Sequence, residues 1–484
     1  GEGDGVHDPS VPDSLGGANV CNRAVEVEMN MKWMGGSIHL GGGFVKPRSR
    51  FTYKSHSISR RWHIKRKLSE IAVALLFFVF GSAVACSVPS ANDVYQLATV
   101  SHVEEILTCN PAADFVFATD VLDLANLSTP LQPNSQSFTG SLAGKDGSGT
   151  TLVNLANEAL FDDAVGATFT ALTISGANIN ASNTPYKGTL ANDADSVDVN
   201  DVTVIDSAVR GGSSANGGLF GILKGSSTLD NIIVSGVDVG VSSTDAASGG
   251  VAGTALTVIA RDVHLMGVNV LGAETGGLVG DADTLDLNRV SADVRVSTSD
   301  QAVVSNSASG GLAGGNDATV VARNIIVTGS VYNNKGEPAG GVVAQARTRL
   351  SLTDVIVDVI VSSTNGEEMG VIAGFAKNND VTLTRLVSIG SVGDPSSCPS
   401  GDYNGDFVGN SVSIDVNVDS SVLFLDTPCD EVGRIGAGVN GVPTPVSRSD
   451  AYILATYVDS GWTVYEGSDT WNAPADVAWA QLSP

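Results

Sequence analysis

Between residues 90 and 420 the chain alternates apolar and polar positions in short runs, each closed by Gly, Ser, Asn or Asp. Leu229-Asp-Asn-Ile-Ile-Val-Ser-Gly-Val-Asp-Val239 and Val321-Ala-Arg-Asn-Ile-Ile-Val-Thr-Gly-Ser-Val331 show the form: two β-branched strands separated by one small residue. A period of two over such lengths, bounded by turn formers, predicts strands. The apolar spacing of a long helix is absent from this region. His102-Val-Glu-Glu-Ile-Leu-Thr-Cys109, ahead of the first runs, reads as one short amphipathic helix.

The runs recur. Gly217-Gly-Leu-Phe-Gly221 returns as Gly249-Gly-Val-Ala-Gly253, Gly276-Gly-Leu-Val-Gly280, Gly310-Gly-Leu-Ala-Gly314, Gly340-Gly-Val-Val-Ala344 and Met369-Gly-Val-Ile-Ala373. The second position of the motif falls on Gly218, Gly250, Gly277, Gly311, Gly341 and Gly370, at spacings of 32, 27, 34, 30 and 29. Degenerate copies at Ala159-Leu-Phe161, Gly188-Thr-Leu-Ala191 and Asp406-Phe-Val-Gly409 bring the count to about nine.

One such unit cannot bury its apolar face alone, but stacked units can, each strand pairing with its copy in the next. The expected fold is therefore all-β: a single right-handed parallel β-helix of about nine coils of ~30 residues, with capped ends. At about 4.8 Å per coil the stack would be on the order of 40 Å long. The paired glycines fit corners where a Cβ would clash or φ must be positive. A polar column, Asp201, Asn231, Asp262, Asn288, Asn324 and Asp354, lies five residues before each small position. Stacked Asn and Asp suit a turn ladder, bonding their own backbone and the coil above. Weak surface Ca²⁺ binding is the alternative use, although the nonapeptide calcium repeat is absent.

Charge sharpens the division of the chain. Residues 1–85 carry 11 Lys+Arg against 7 Asp+Glu, whereas residues 86–484 carry 15 against 45. A strongly acidic body repels nucleic acid and anionic membranes. Arg60, Arg61, Lys65, Arg66 and Lys67 precede the apolar run Ile71 to Phe80, and small residues follow to Ala85. That order is a secretory signal, too short for a comfortable membrane span. Membrane attachment would come only through an uncleaved signal anchor or a lipid on Cys86. The organisation read from these features is a non-globular basic leader over 1–66, in part artefactual, and the apolar segment over 67–85. An N-terminal cap over 86–137, the repeat array over 138–420 and a C-terminal cap over 421–484 follow. Cys86, Cys109, Cys398 and Cys429 remain in an exported chain; four cysteines allow two disulfides in three pairings. The tryptophans Trp462, Trp471 and Trp479 all lie in the final cap, where covering an open solenoid end is the favoured role and carbohydrate stacking the other.

These residues resemble the GLUG-motif repeat proteins of bacterial cell surfaces. Gly218-Leu-Phe-Gly221 and Gly277-Leu-Val-Gly280 match the Gly-Leu-aliphatic-Gly core, and Asn-Ile-Ile-Val-Ser-Gly matches its tail. Ala113–Leu124 is similar to the segment that opens such arrays, and Phe138–Gly144 with Thr150–Leu155 to the entry into the first coil. Tyr457–Trp462 with Trp471 is similar to the closing segment. The resemblance covers residues 95–484 and implies a secreted or surface-displayed, adhesin-like protein.

Signs of chemistry are few. Residues 86–484 hold two histidines, His102 and His264, and no zinc, redox or nucleophile-elbow motif. Arg261, Arg289 and Arg323 fall near one column beside Asp262, Asn288 and Asn324 and read as salt-bridged decoration. No catalytic residue and no cofactor is assigned. The expected role is binding of a cell-surface glycan or protein ligand by an extracellular solenoid. A polysaccharide lyase or hydrolase on the same scaffold is the alternative.

Overall fold

The computed structural model describes residues 88, 90–91, 94–106, 110–127, 130–131, 137–180, 185–240, 246–302, 307–315, 319–364, 368–377, 381–393, 404–405, 407–412, 416–418, 422–425, 439–440 and 444–446. The described chain is a β-solenoid: its strands pair almost wholly in parallel, each with the strand one coil away. Asp198–Ile205, for example, lies between Thr168–Ser175 and the second half of Phe220–Ser235. The helix expected over His102–Cys109 begins earlier, as Val100–Glu104; it starts at an N-cap Thr99 whose side chain accepts from the His102 amide, and it buries Val103, while residues 107–109 lie outside the described residues. No helix among the described residues is long and apolar enough to cross a membrane.

Each coil has three stretches. A corner strand of two or three residues comes first; its eight copies, from Tyr186–Lys187 to Asn404–Gly405, form one sheet. Sequence alone counted about nine coils. The extra copy, Ala159-Leu-Phe161, does stack beneath the next coil through Leu160 N–H to Thr189 C=O (3.0 Å) and Phe161 N–H to Leu190 C=O (2.9 Å), but no corner strand precedes it. The other two stretches carry the inward columns. Leu229, Ala260, Leu287, Ala322 and Leu352 stack in register, large against small, and all are buried. Ile232, Val263, Val290, Ile325 and Val355 form the next column. A fully buried side chain of this size contributes roughly 1.5–3 kcal/mol, so a charge at Leu287 would disrupt three coils at once.

The glycine motif has a steric cause. A Cβ on Gly218 would lie 2.0 Å from the Gly250 carbonyl oxygen, and one on Gly311 would lie 1.9 Å from that of Gly341. Neither residue is among those with positive φ, so close approach between coils, not left-handed backbone, selects glycine here. The last copy is shifted by one from the sequence alignment. Gly370 pairs with Gly340, not Gly341, and Val371 takes the second position, its carbonyl oxygen 2.0 Å from where a Gly341 Cβ would be.

Before the first corner strand the stacking continues without a break. Val94–Leu97 pairs with Asp114–Phe117, which pairs with Ser141–Ala143, which pairs with Thr168–Thr170. Tyr95, Phe115, Phe138 and Phe161 stack along this end, with Tyr95–Phe115 at 5.1 Å and Phe138–Phe161 at 4.5 Å between ring centroids. The aromatic stack fills the end of the core that coils of Val and Ala fill further along.

Candidate functional site

The third stretch of each coil lays down the outward face along which an open groove runs. Val209, Val239, Val270, Val296 and Val331 point inward in register. Strand alternation therefore turns Asp238, Asn269 and Arg295, and beside them Arg210, Leu271 and Tyr332, outward. They line an open groove of about 590 Å³ that crosses successive coils parallel to the stack. Gly240 is part of the lining; its φ of +119° and a Cβ position only 1.7 Å from the Leu271 carbonyl oxygen require glycine there.

The lining is mixed. Asp238 accepts from Asn269 Nδ2 at 2.8 Å and meets Arg210 Nη2 at 3.4 Å. That ion pair is half exposed on both sides and contributes little to stability. Arg295 is exposed and has no ion pair among the described residues. Tyr332 is 43% exposed, its hydroxyl 3.1 Å from Thr364 Oγ1, and Leu271, two coils before it in the same register, is 38% exposed. An aromatic plate amid amide, guanidinium and hydroxyl groups drawn from successive coils can hold an extended polar chain.

The predicted polar column is a column of left-handed residues. Asp201, Asn231, Asp262, Asn324 and Asp354 have φ between +52° and +58°, where the chain bends between two inward residues. Asn and Asp adopt this conformation at least cost. Asn288 does not belong: the register places Arg289, φ +58°, opposite Asp262 and Asn324. A bidentate ion pair from the Arg289 guanidinium to the Asp262 carboxylate holds it there. Arg385 holds Asp354 the same way, through Nε at 2.5 Å and Nη2 at 2.7 Å. Asn288 instead accepts from Asn324 Nδ2 at 2.9 Å, and Asn231 donates to Asp201. Of the arginines read as decoration, only Arg289 makes a described ion pair. His264 is half-buried with Nδ1 2.8 Å from Ser291 Oγ, and burial, opposed by Asp262, pushes its pKa down. Among the described residues no group of three His, Cys, Asp or Glu could hold a metal ion. Cys86, Cys109, Cys398, Cys429, Trp462, Trp471, Trp479 and the apolar segment lie outside the described residues.

Sequence reasoning missed a second polar column. Lys187, Asn216, Ser248, Thr275 and Ser309 stack inside the corner sheet and are fully buried. Lys187 is neutralised by Glu158 at 2.5 Å, with the lysine 0% and the glutamate 12% exposed. Asn216 closes a ring with Gly212 N–H and C=O at 2.9 and 3.1 Å, and Thr275 Oγ1 meets Ser309 Oγ at 2.9 Å. The available signal was a recurring polar residue just before the first glycine, which the glycine alignment passed over.

No family model and no curated protein matches the chain. Among solved structures it is similar to a chain described as a "putative immunoglobulin A1 protease" from Bacteroides ovatus, with 11% sequence identity, a TM-score of 0.31, and coverage of 78% of this chain and 91% of that one. At that score the fold assignment rests on the strand ladder alone.

Proposed function

We propose that this chain is a secreted or surface-displayed β-solenoid that binds an extended carbohydrate in the groove beside Tyr332, as an adhesin does. The observation that carries the reading is the groove itself: about 590 Å³, open, running across coils, with an exposed tyrosine and leucine flanked by Asn269, Arg295 and Asp238. Sugars present one apolar face and a rim of hydroxyls, the two surfaces this lining offers. The order of GLUG-like motifs and the acidic repeat region support an extracellular setting.

The test is retention of the full chain on a panel of immobilised polysaccharides, with reducing ends measured in the same samples. Binding to at least one glycan, weakened about tenfold by Tyr332→Ala, is expected. Retention that is untouched by Tyr332→Ala and Leu271→Asp would mean that the groove does not hold the glycan. Bond cleavage abolished by one Asp→Asn change would replace binding by catalysis.

A further inference from the structure

A second hollow, of about 470 Å³, opens beside the early coils, on the strands that follow the corner. It is lined by Asp162, Asp163, Tyr186, Asn192, Asp193, Asp195 and Lys224, among others. Asp193 stacks in register on Asp163. Asn192 occupies the coil position that Gly221 fills in the next coil, between the registered pairs Ala191–Phe220 and Asp193–Ile222. Later copies keep a glycine there, at Gly253 and Gly280, so this side chain is peculiar to the hollow.

Asn192 is only 2% exposed. Its Nδ2 donates to Asp162 Oδ1 at 3.0 Å, which fixes the amide's orientation. Its Oδ1 is then a buried acceptor with no donor, an arrangement that costs free energy unless something supplies one. The walls supply carboxylates instead. Asp163 already accepts from Ser137 Oγ, and Asp193 is bonded to Lys224 Nζ at 2.5 Å. Four carboxylates face one ammonium, so the hollow holds excess negative charge and an excess of acceptors. Burial is the largest influence on Asp193 and raises its pKa, Lys224 opposes, and Asp163 and Asp162 add to the rise. A second positive charge would relieve that crowding.

We infer that this hollow binds an organic primary ammonium group, which donates to Asn192 Oδ1 and to the flanking carboxylates. The volume is within the range of about 300–1,000 Å³ usual for small-molecule sites. A metal ion is the poorer fit, because a Ca²⁺ cage needs six to eight converging oxygens and no three acidic side chains among the described residues converge on a metal position. An ammonium needs only three directed acceptors, and Tyr186 adds an aromatic wall suited to a cation. The site is separate from the groove and does not depend on the carbohydrate reading.

Calorimetric titration of the full chain tests it. Glucosamine and 1,5-diaminopentane are the ammonium probes, one borne on a sugar and one on an alkyl chain. Glucose, tetramethylammonium and Ca²⁺ are the controls. Saturable one-to-one binding of at least one amine is expected, and the better probe identifies the carrier. Asn192→Ala is expected to weaken it roughly tenfold, and Asp193→Asn, a substitution at the solvent side that spares the packing, to weaken it as well. Both variants should keep the parent's circular dichroism spectrum. Three results overturn the inference: no saturable amine binding, tetramethylammonium binding as tightly as the amines, or Ca²⁺ binding stoichiometrically where amines do not.

Discussion

Gly311→Ala isolates the force that selects glycine at the corner. The added Cβ would lie 1.9 Å from the Gly341 carbonyl oxygen and 2.8 Å from Val327 Cγ1. An ordinary carbon–oxygen contact is about 3.3 Å or more, so the two coils would have to part by about 1.4 Å. Gly311 N–H to Gly340 C=O is now 3.1 Å, Leu312 N–H to Val342 C=O 2.7 Å and Ala313 N–H to Val342 C=O 3.2 Å. Opening by that amount stretches all three beyond bonding distance. At about 0.5–1.5 kcal/mol each, their loss costs about 3 kcal/mol. The control is Gly267→Asn. Gly267 has φ +60° with nothing within 4 Å of its Cβ position, and Asn tolerates that backbone, so the cost there is a few tenths of a kcal/mol. Guanidinium unfolding followed by circular dichroism compares the two, with slopes checked because repeat arrays need not unfold in one step. If the two midpoints coincide, close packing between coils is not what requires glycine at this column.

The buried pair Lys187–Glu158 makes the second case. Lys187→Ala leaves Glu158 without its cation and is expected to cost about 3–5 kcal/mol, whereas the double change Lys187→Met with Glu158→Leu recovers most of it; unfolding midpoints of the three proteins decide. For His264 the sign follows from its depressed pKa. The unfolded chain takes up the proton first, near pH ~6.5, so stability falls as pH drops from there through the lowered folded value and levels off below it. His264→Gln should flatten that stretch of the midpoint-against-pH curve, and parallel curves for the two proteins would remove His264 as a cause.

The period, the parallel stacking and the glycine columns were legible because each recurs and each has a steric reason to recur. What was not legible depended on context. Arg289 was passed over for Asn288 because arginine has no intrinsic preference for left-handed backbone; the Asp262 carboxylate one coil below supplies the reason. Gly370 was set one position out because its copy has a single glycine, and only the strand pairing with Gly340 fixes it. The groove was invisible for a different cause. Asp238, Asn269, Arg295 and Tyr332 come from separate coils, and nothing in their spacing distinguishes them from solvated decoration until register sets them side by side. Lys187 reads as a surface lysine in any local window, and burial against Glu158 is a property of the stack.

The coils differ in length mainly in one place. From the inward valine of the third stretch to the next corner glycine the chain takes six residues in Val270–Gly276 and fourteen in Val296–Gly310. From corner glycine to left-handed residue, by contrast, those two coils both begin from nearly constant register, Gly249 to Asp262 and Gly276 to Arg289. Lengthening a connection between strands costs little, about 0.6 kcal/mol per doubling, so this edge can accept new sequence while the columns behind it stay unchanged. The same edge follows directly on the strands that line the Tyr332 groove. Exchanging these connections would therefore change what borders the groove without altering what holds the coils together, so the groove's rim and the stability of the stack can vary independently.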